Sequence, residues 1–371
     1  GWTIPIPLRF LQCGHSAVLV FFLLSGYGIG LTTKKPYSSY AAADYLRRRA
    51  VRIVPIYLVA LLFTLFVNKN YTWQQVAGCL LFFQNFDSYF GLHLLPLQTN
   101  GPIWSLNYEV LYYLLFLFLW RKRATLSAQV WACLLLGAVA WSVPHAPVFL
   151  CSYAVGWLFW MSGWWLSEQP PSLDASRRLP LLSVVLLLLS AHHFECGVLL
   201  LNTLHIPHQD PVGVVNIGNL ALLPICCLCL ITVTRHTVSK ILYRALATAA
   251  FALPIGALLV LIGLGRLQEN PRWIAAATYA VLAVIAALLP ETKGIARLAP
   301  FGRISYGFYL IHFPMLFLVE RLHLPGGTGA SFLLRAVIWF GLSLFAAWLL
   351  ECRFQPMIRK RIFPAGKLAR Q

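Results

Sequence analysis

At 371 residues, 59% hydrophobic and 11% charged, the chain carries less than half the ~25% charged content usual in soluble domains. Its net charge of +18 is spread over many loops as membrane-side anchors drawn to anionic lipid, so it needs no nucleic-acid partner. Nine cysteines, an odd number without paired spacing, exclude a disulfide framework. The class is an all-α polytopic membrane protein.

Apolar runs near the ~20 residues that cross hydrocarbon predict spans at 16–33, 51–67, 107–120, 127–142, 148–166, 181–201, 215–234, 242–265, 272–290, 305–321 and 331–350. The stretch 76–91 is too short and polar to cross. The expectation is therefore about eleven transmembrane helices plus one re-entrant or interfacial segment, in a single membrane domain over 1–371 with a basic tail at 352–371. Placing loop 34–52 in the cytoplasm leaves outside only Arg9, Lys69, Arg266, Arg272, Arg321 and Arg335 among the 29 Lys and Arg, as the positive-inside rule requires. The C-terminus is then cytoplasmic and the first residues external. An external start at Gly1 with no basic signal-peptide region leads to the expectation of a missing upstream segment.

Polar groups in apolar runs carry the chemistry. In "GHSAVLVFFLLSGYGIG" (14–30), Ser25, Gly26, Gly28 and Gly30 permit close helix approach, and His15 sits at the outer mouth. In "YLRRRAVRIVPIYLVALL" (45–62), Arg49 with Arg52 and Arg48 with Arg52 share helix faces. Ordinary anchoring explains a basic cluster; an arginine pair at a helix start also suits a phosphate-bearing ligand. In "GPIWSLNYEVLYYLLF" (101–116), Glu109 lies one turn inside the run with Tyr112 three residues on and Tyr113 four. A structural salt bridge explains this carboxylate, as does a catalytic role. The predicted spans put Glu109 near the external end of its helix and Arg49 and Arg52 at the cytoplasmic end of theirs, ~30 Å apart.

Further along, "AHHFE" (191–195) and "HIPHQD" (205–210) offer imidazoles and a carboxylate that suit zinc, but loosely spaced, so no metal is expected. The "CCLC" at 226–229 reads as small buried hydrophobes. In "GRISYGFYLIHFPMLF" (302–317), Ser305, Tyr309 and His312 fall on one helical stripe, with Pro314 just beyond; a lone histidine there is usually structural, a three-residue stripe less so.

Five pieces in order, "GHSAVLVFFLLSGY", "LRRRAVRIVPIY", "GPIWSLNYEVLYYLLF", "GRISYGFYLIHFP" and "LECRFQPMIRK" (350–360), resemble the acyltransferase-3 family, which O-acylates sugars and glycans of bacterial envelopes. The last resembles the family's closing segment, with Glu351 ahead of a proline. The family's first span, with an arginine and a deep histidine, has no counterpart here; Arg9 and His15 are too close together to replace it. The resemblance implies O-acyl transfer, acetyl in the first instance, from acyl-CoA to a sugar hydroxyl of an envelope glycan or lipid-linked saccharide. It implies an integral protein of the bacterial inner membrane and no metal. Arg49, Arg52 and Arg48 are then candidates for the donor's phosphates, and Glu109, Tyr309, His312 and His15 for the transfer site. A transporter or flippase for an anionic or lipid-linked substrate is the alternative, although paired interrupted helices in two related halves are not evident. A glycan polymerase is also a rival, but would carry a larger external loop than 68–106.

Overall fold

The computed structural model describes residues 10, 12–84, 97–122, 124–142, 148–170, 178–205, 215–290, 300–322 and 329–362. The end of the predicted re-entrant stretch, His208 and Asp210 of the possible metal cluster, and the tail beyond 362 lie outside them.

Among the described residues every regular element is helical. In chain order the α-helices are α1 (Gly14–Thr32), α2 (Ser39–Val67), α3 (Trp73–Leu80), α4 (Trp104–Lys122), α5 (Leu126–Ser142), α6 (Val148–Glu168), α7 (Leu181–His193), α8 (Cys196–Thr203), α9 (Leu223–Thr234), α10 (Lys240–Gly263), α11 (Pro271–Leu288), α12 (Ser305–Glu320), α13 (Gly329–Trp348) and α14 (Gln355–Ile362). A helix stands at each of the eleven predicted spans. Seven helical stretches are long and apolar enough to cross a membrane, and α7 with α8, bent by 49° at their junction, makes an eighth if taken as one span. Of the others, α5 and α12 are short, at 17 and 16 residues, and α6 carries four tryptophans whose amphipathic rings lower its hydropathy. The protein is thus polytopic, with seven or eight spans among the described residues meeting the length and composition of a crossing.

The chain divides into two compact units: Gly1–Thr3, Pro36–Arg121 and Gly294–Gln371 in the first, Ile4–Lys35 and Lys122–Lys293 in the second.

In the first unit, α12 packs on α2 and α13, and α14 returns to α2. The α2 helix starts twelve residues before the predicted span. Its Ser38 cap accepts from the Ala41 N–H at 3.1 Å, satisfying an end donor, and the run "SYAAADYLRRRA" is rich in helix-forming alanine and arginine. At 1.5 Å per residue, Arg52 therefore lies ~20 Å into its helix.

Pro55 and Pro314 each interrupt an α-helix of this unit, and each leaves a carbonyl that a distant amide satisfies. Pro55 has no N–H for the carbonyl of Val51; Gln355 Nε2 donates to that oxygen at 2.6 Å. Pro314 likewise deprives Leu310, whose carbonyl accepts from Asn100 Nδ2 at 3.1 Å. The same Asn100 nitrogen donates to Thr64 Oγ1 at 2.9 Å. An unmade buried hydrogen bond costs ~1–3 kcal/mol, so each amide removes a penalty the proline creates.

In the second unit, α1 packs along α6 through glycine. A Cβ on Gly26 would lie 1.9 Å from the Trp160 carbonyl oxygen, and one on Gly163 the same distance from that of Leu23. Gly30 meets Ser167 in the same way, whereas Gly28 has open space beside it. Of the four residues whose small size suggests close approach, Ser25, Gly26, Gly28 and Gly30, the structure uses Gly26 and Gly30 in this way and not Gly28. Ser190 and Ser183 of α7 tie it to α11, donating to the Ala276 and Ala283 carbonyls at 2.8 Å each.

Candidate active site

The first unit gathers both signs of charge. Arg52 Nη1 donates to Glu351 Oε2 at 2.7 Å, with the carboxylate side chain only 4% exposed and the arginine 46%. Glu351 Oε1 accepts from the Gly307 N–H at 3.2 Å. The Arg52 guanidinium also lies over the Tyr306 ring, 5.2 Å from its centroid, and the Tyr306 hydroxyl donates to the Ile53 carbonyl at 3.1 Å. Glu351 belongs to a π-helical turn, Leu349–Phe354, joining α13 to α14. Such a turn holds one more residue than an α-turn and re-aims side chains at functional sites.

One face of the same arginine run meets α4. Arg49 is half-buried, its guanidinium 5.7 Å from the Tyr45 centroid and 5.5 Å from that of Tyr113, within cation–π range. The Tyr113 hydroxyl donates to Glu109 Oε1, the i, i+4 pair expected from spacing, and Glu109 is 4% exposed. A single phenol therefore bridges Arg49 and Glu109. The expected ~30 Å separation is overturned, and the reason is the early start of α2, which carries the arginines to mid-helix instead of leaving them at a helix end.

Arg48 faces elsewhere, paired with Asp44 on the same helix and largely exposed. Arg47 donates to the Ile362 carbonyl.

On α12, Tyr309 and His312 remain neighbours, with ring centroids 6.1 Å apart. Ser305 leaves the stripe: it is exposed and donates to the Gly302 carbonyl at 2.9 Å. The Tyr309 hydroxyl donates to the Pro102 carbonyl, and a phenol has one hydrogen. Ser105, 2.8 Å away, is then the donor to Tyr309. Tyr309 thereby fixes the turn that starts α4, four residues before Glu109. His312 Nδ1 lies 2.8 Å from the Tyr309 carbonyl and 3.1 Å from that of Phe308. Carbonyls only accept, so Nδ1 carries the hydrogen and Nε2 is the basic atom of the neutral ring. The ring stacks on Phe308 with centroids 5.5 Å apart, and Trp339 Nε1 donates to the His312 carbonyl at 2.7 Å.

His15 belongs to the second unit. Its Nε2 is 3.2 Å from Asn219 Oδ1, an oxygen that also accepts from the Asn216 N–H at 2.8 Å. An amide oxygen cannot donate, so the His15 Nε2 does, and Nδ1 is its basic atom when neutral. Beside it, Ser16 Oγ is 2.9 Å from His192 Nδ1.

Sequence reasoning quoted Glu351 but gave it no partner, and it passed over Gln355 and Asn100; the two prolines were the signal that carbonyls at 51 and 310 needed donors. Among the described residues no group of three or more His, Cys, Asp and Glu is placed to hold a metal ion.

Residues 1–249 match the acyltransferase-3 family, described as an acyltransferase domain. The matched stretch contains the arginine run, Glu109 and His15, while Tyr309, His312 and Glu351 lie beyond it. No curated protein and no solved structure matches the chain. With two thirds of its length matched, this integral membrane protein belongs to the acyltransferase-3 family.

Proposed function

We propose that the protein is a membrane O-acyltransferase that moves an acyl group, acetyl in the first instance, from acyl-CoA to a saccharide hydroxyl of an envelope glycan or a lipid-linked saccharide. The observation that carries the reading is the buried carboxylate of Glu109 joined through Tyr113 to Arg49. Acyl transfer needs a base for the acceptor hydroxyl, donors for the oxyanion and cations for the donor's phosphates. Arg49 and Arg52 supply the cations, Arg52 held in place by Glu351, whereas Arg48 is withdrawn to Asp44. His312 Nε2 is the base favoured here, and Glu109 holds the acceptor hydroxyl or the proton it releases. The hydroxyl oxygen attacks the thioester carbonyl, the tetrahedral oxyanion collapses, and the coenzyme A thiolate leaves with the proton. Tyr309, its hydrogen committed to Pro102, acts as a positioning residue. His15 Nδ1 is the second candidate base. The lysine and arginine asymmetry supports a cytoplasmic C-terminus and donor entry from that side, in a bacterial inner membrane.

The test has two readouts in membranes containing the protein: binding of labelled acetyl-CoA, and appearance of label in saccharide. Donor binding that Arg49→Ala weakens, with transfer that Glu109→Gln abolishes, is the expected result. A well-inserted protein that neither binds nor spends acetyl-CoA would overturn the reading in favour of a transporter or flippase.

A further inference from the structure

The face of α4 that carries Glu109 continues to the other end of the helix. Glu109, Tyr113, Phe116 and Trp120 follow one another at spacings of four, three and four, which keeps them on one side. That side is turned into the protein. Glu109, Tyr113 and Phe116 are buried, whereas the exposed large apolar residues of the helix are Leu111, Leu114 and Phe118.

A tryptophan at the end of a span usually anchors in the headgroup layer. Trp120 does something further, because its indole is held among rings of the same unit. Phe116 backs it, with centroids 5.9 Å apart and planes 23° apart, and Tyr45 of α2 lies 6.2 Å away at 65°. Tyr37, just ahead of the Ser38 cap of α2, stands perpendicular to it, 5.4 Å between centroids and 83° between planes. Trp120 and Tyr37 are both half-buried, and together they form a corner against the buried rings of Phe116 and Tyr45.

Such a corner suits a flat π-system. A ring lying on one wall stacks on it and meets the other edge to face, the two arrangements that aromatic pairs prefer. Nucleobases bind protein aromatics in this way, since every base has a π-face. The register of α4 then orders the chemistry. From Trp120 it is seven residues, ~10 Å, to Tyr113 beside Arg49, and eleven residues, ~16 Å, to Glu109. The sequence of features is aromatic corner, cation, carboxylate. An acyl-CoA carries its groups in the matching order: purine, phosphates, then the pantetheine arm that ends in the thioester. The lysine and arginine asymmetry supports a cytoplasmic position for this end of α4, the side from which a soluble nucleotide arrives.

We propose that Trp120, with Tyr37 beside it, is the platform on which the purine of the acyl-CoA donor stacks. The proposal rests on the acyl-transfer reading and adds to it the residue that selects a nucleotide-bearing donor over a bare acyl-phosphopantetheine. The test is equilibrium binding to the full chain in nanodiscs, with acetyl-CoA, adenosine 3′,5′-bisphosphate and S-acetyl-4′-phosphopantetheine as probes. Trp120→Leu keeps an apolar side chain and removes the π-face. It weakens binding of the two adenine-bearing probes by about tenfold and leaves the phosphopantetheine unchanged, which also shows that the variant is folded. Trp120→Phe keeps a π-face and most of the affinity. Adenosine bisphosphate quenches part of the wild-type tryptophan fluorescence, and that part is missing in Trp120→Phe although the nucleotide still binds. Wild-type protein that binds acetyl-CoA, with Trp120→Leu binding all three probes equally well or losing the phosphopantetheine to the same degree, would overturn the platform and leave acyl transfer standing. Full quenching in Trp120→Phe would do the same. Wild-type protein that binds none of the three probes would overturn both.

Discussion

The two units solve the same problem in opposite ways. Both keep polar side chains among apolar helices, where an unsatisfied group is costly. The first keeps full charges at depth and neutralises them: Arg52 with Glu351, and Glu109 through Tyr113 beside Arg49. The second lines a cavity with imidazoles and amides beside the exposed carboxylate of Glu195, and among its described residues holds an ion pair, Arg266 with Glu269, on an exposed turn. Paired charges suit a substrate that itself carries charge or develops it in reaction. Under the proposed function, the charges of the first unit serve the donor and the chemistry, and the second unit contributes His15 as the second candidate base.

The sharpest way to break the contrast is Glu109→Gln. If the carboxylate takes part in transfer, this isosteric change lowers turnover by ~10²–10⁴-fold at normal expression, measured as label transferred from acetyl-CoA. Wild-type turnover would reduce Glu109 to a packing group and erase the difference between the units.

Next is the arginine run. Arg49→Ala weakens acetyl-CoA binding by about tenfold, the loss of one charge-assisted hydrogen bond, whereas Arg48→Ala, which removes only an exposed pair with Asp44, changes it little. Equal effects in equilibrium binding would make the run a plain membrane anchor.

The proline breaks allow a rescue experiment. Gln355→Leu leaves the Val51 carbonyl without its donor and costs ~1–3 kcal/mol of unfolding stability. Pro55→Ala restores a backbone N–H to that carbonyl and recovers much of the loss. A double-mutant cycle in which the two changes simply add would show that the amide does not serve the break.

The smallest effect concerns acid. His236 lies in the loop between α9 and α10, its Nδ1 3.1 Å from the Tyr27 hydroxyl. Burial, with help from the cations Arg178 and Lys34, holds its imidazole below the usual value of 6.5. The unfolded chain then takes up a proton that the folded one resists, so stability present above about pH 6.5 is lost as pH falls through the folded value. Thermal unfolding from pH 7.5 to 5.5 shows a modest decline that His236→Gln flattens; an unchanged slope in the variant would assign the decline to other groups.

Local sequence made much of this legible. Apolar run lengths located a helix at all eleven expected places, and four-residue spacing gave the Glu109–Tyr113 bond. The start of α2 was missed because hydropathy marks where a helix becomes apolar, not where it begins; Ser38 and the alanines behind it held that information. The pairing of Arg52 with Glu351 was illegible for a different reason. It joins residues 299 apart, and no periodicity within one helix reports on which helix faces another. His192 and Glu195 appeared as a loose histidine cluster because the bend at residue 195, which makes their cavity, depends on a backbone conformation that composition does not announce.

That long-range pairing has a temporal side. A ribosome adding ~5–20 residues per second finishes Arg52 some 15–60 s before it reaches Glu351, 299 residues later, and Gln355 comes later still. Throughout that interval the growing chain holds a cation without its counter-charge and a proline-opened carbonyl without its donor. Helix α2 is therefore completed by residues 351 and 355, made long after it, and a nascent chain stalled before residue 351 lacks both partners.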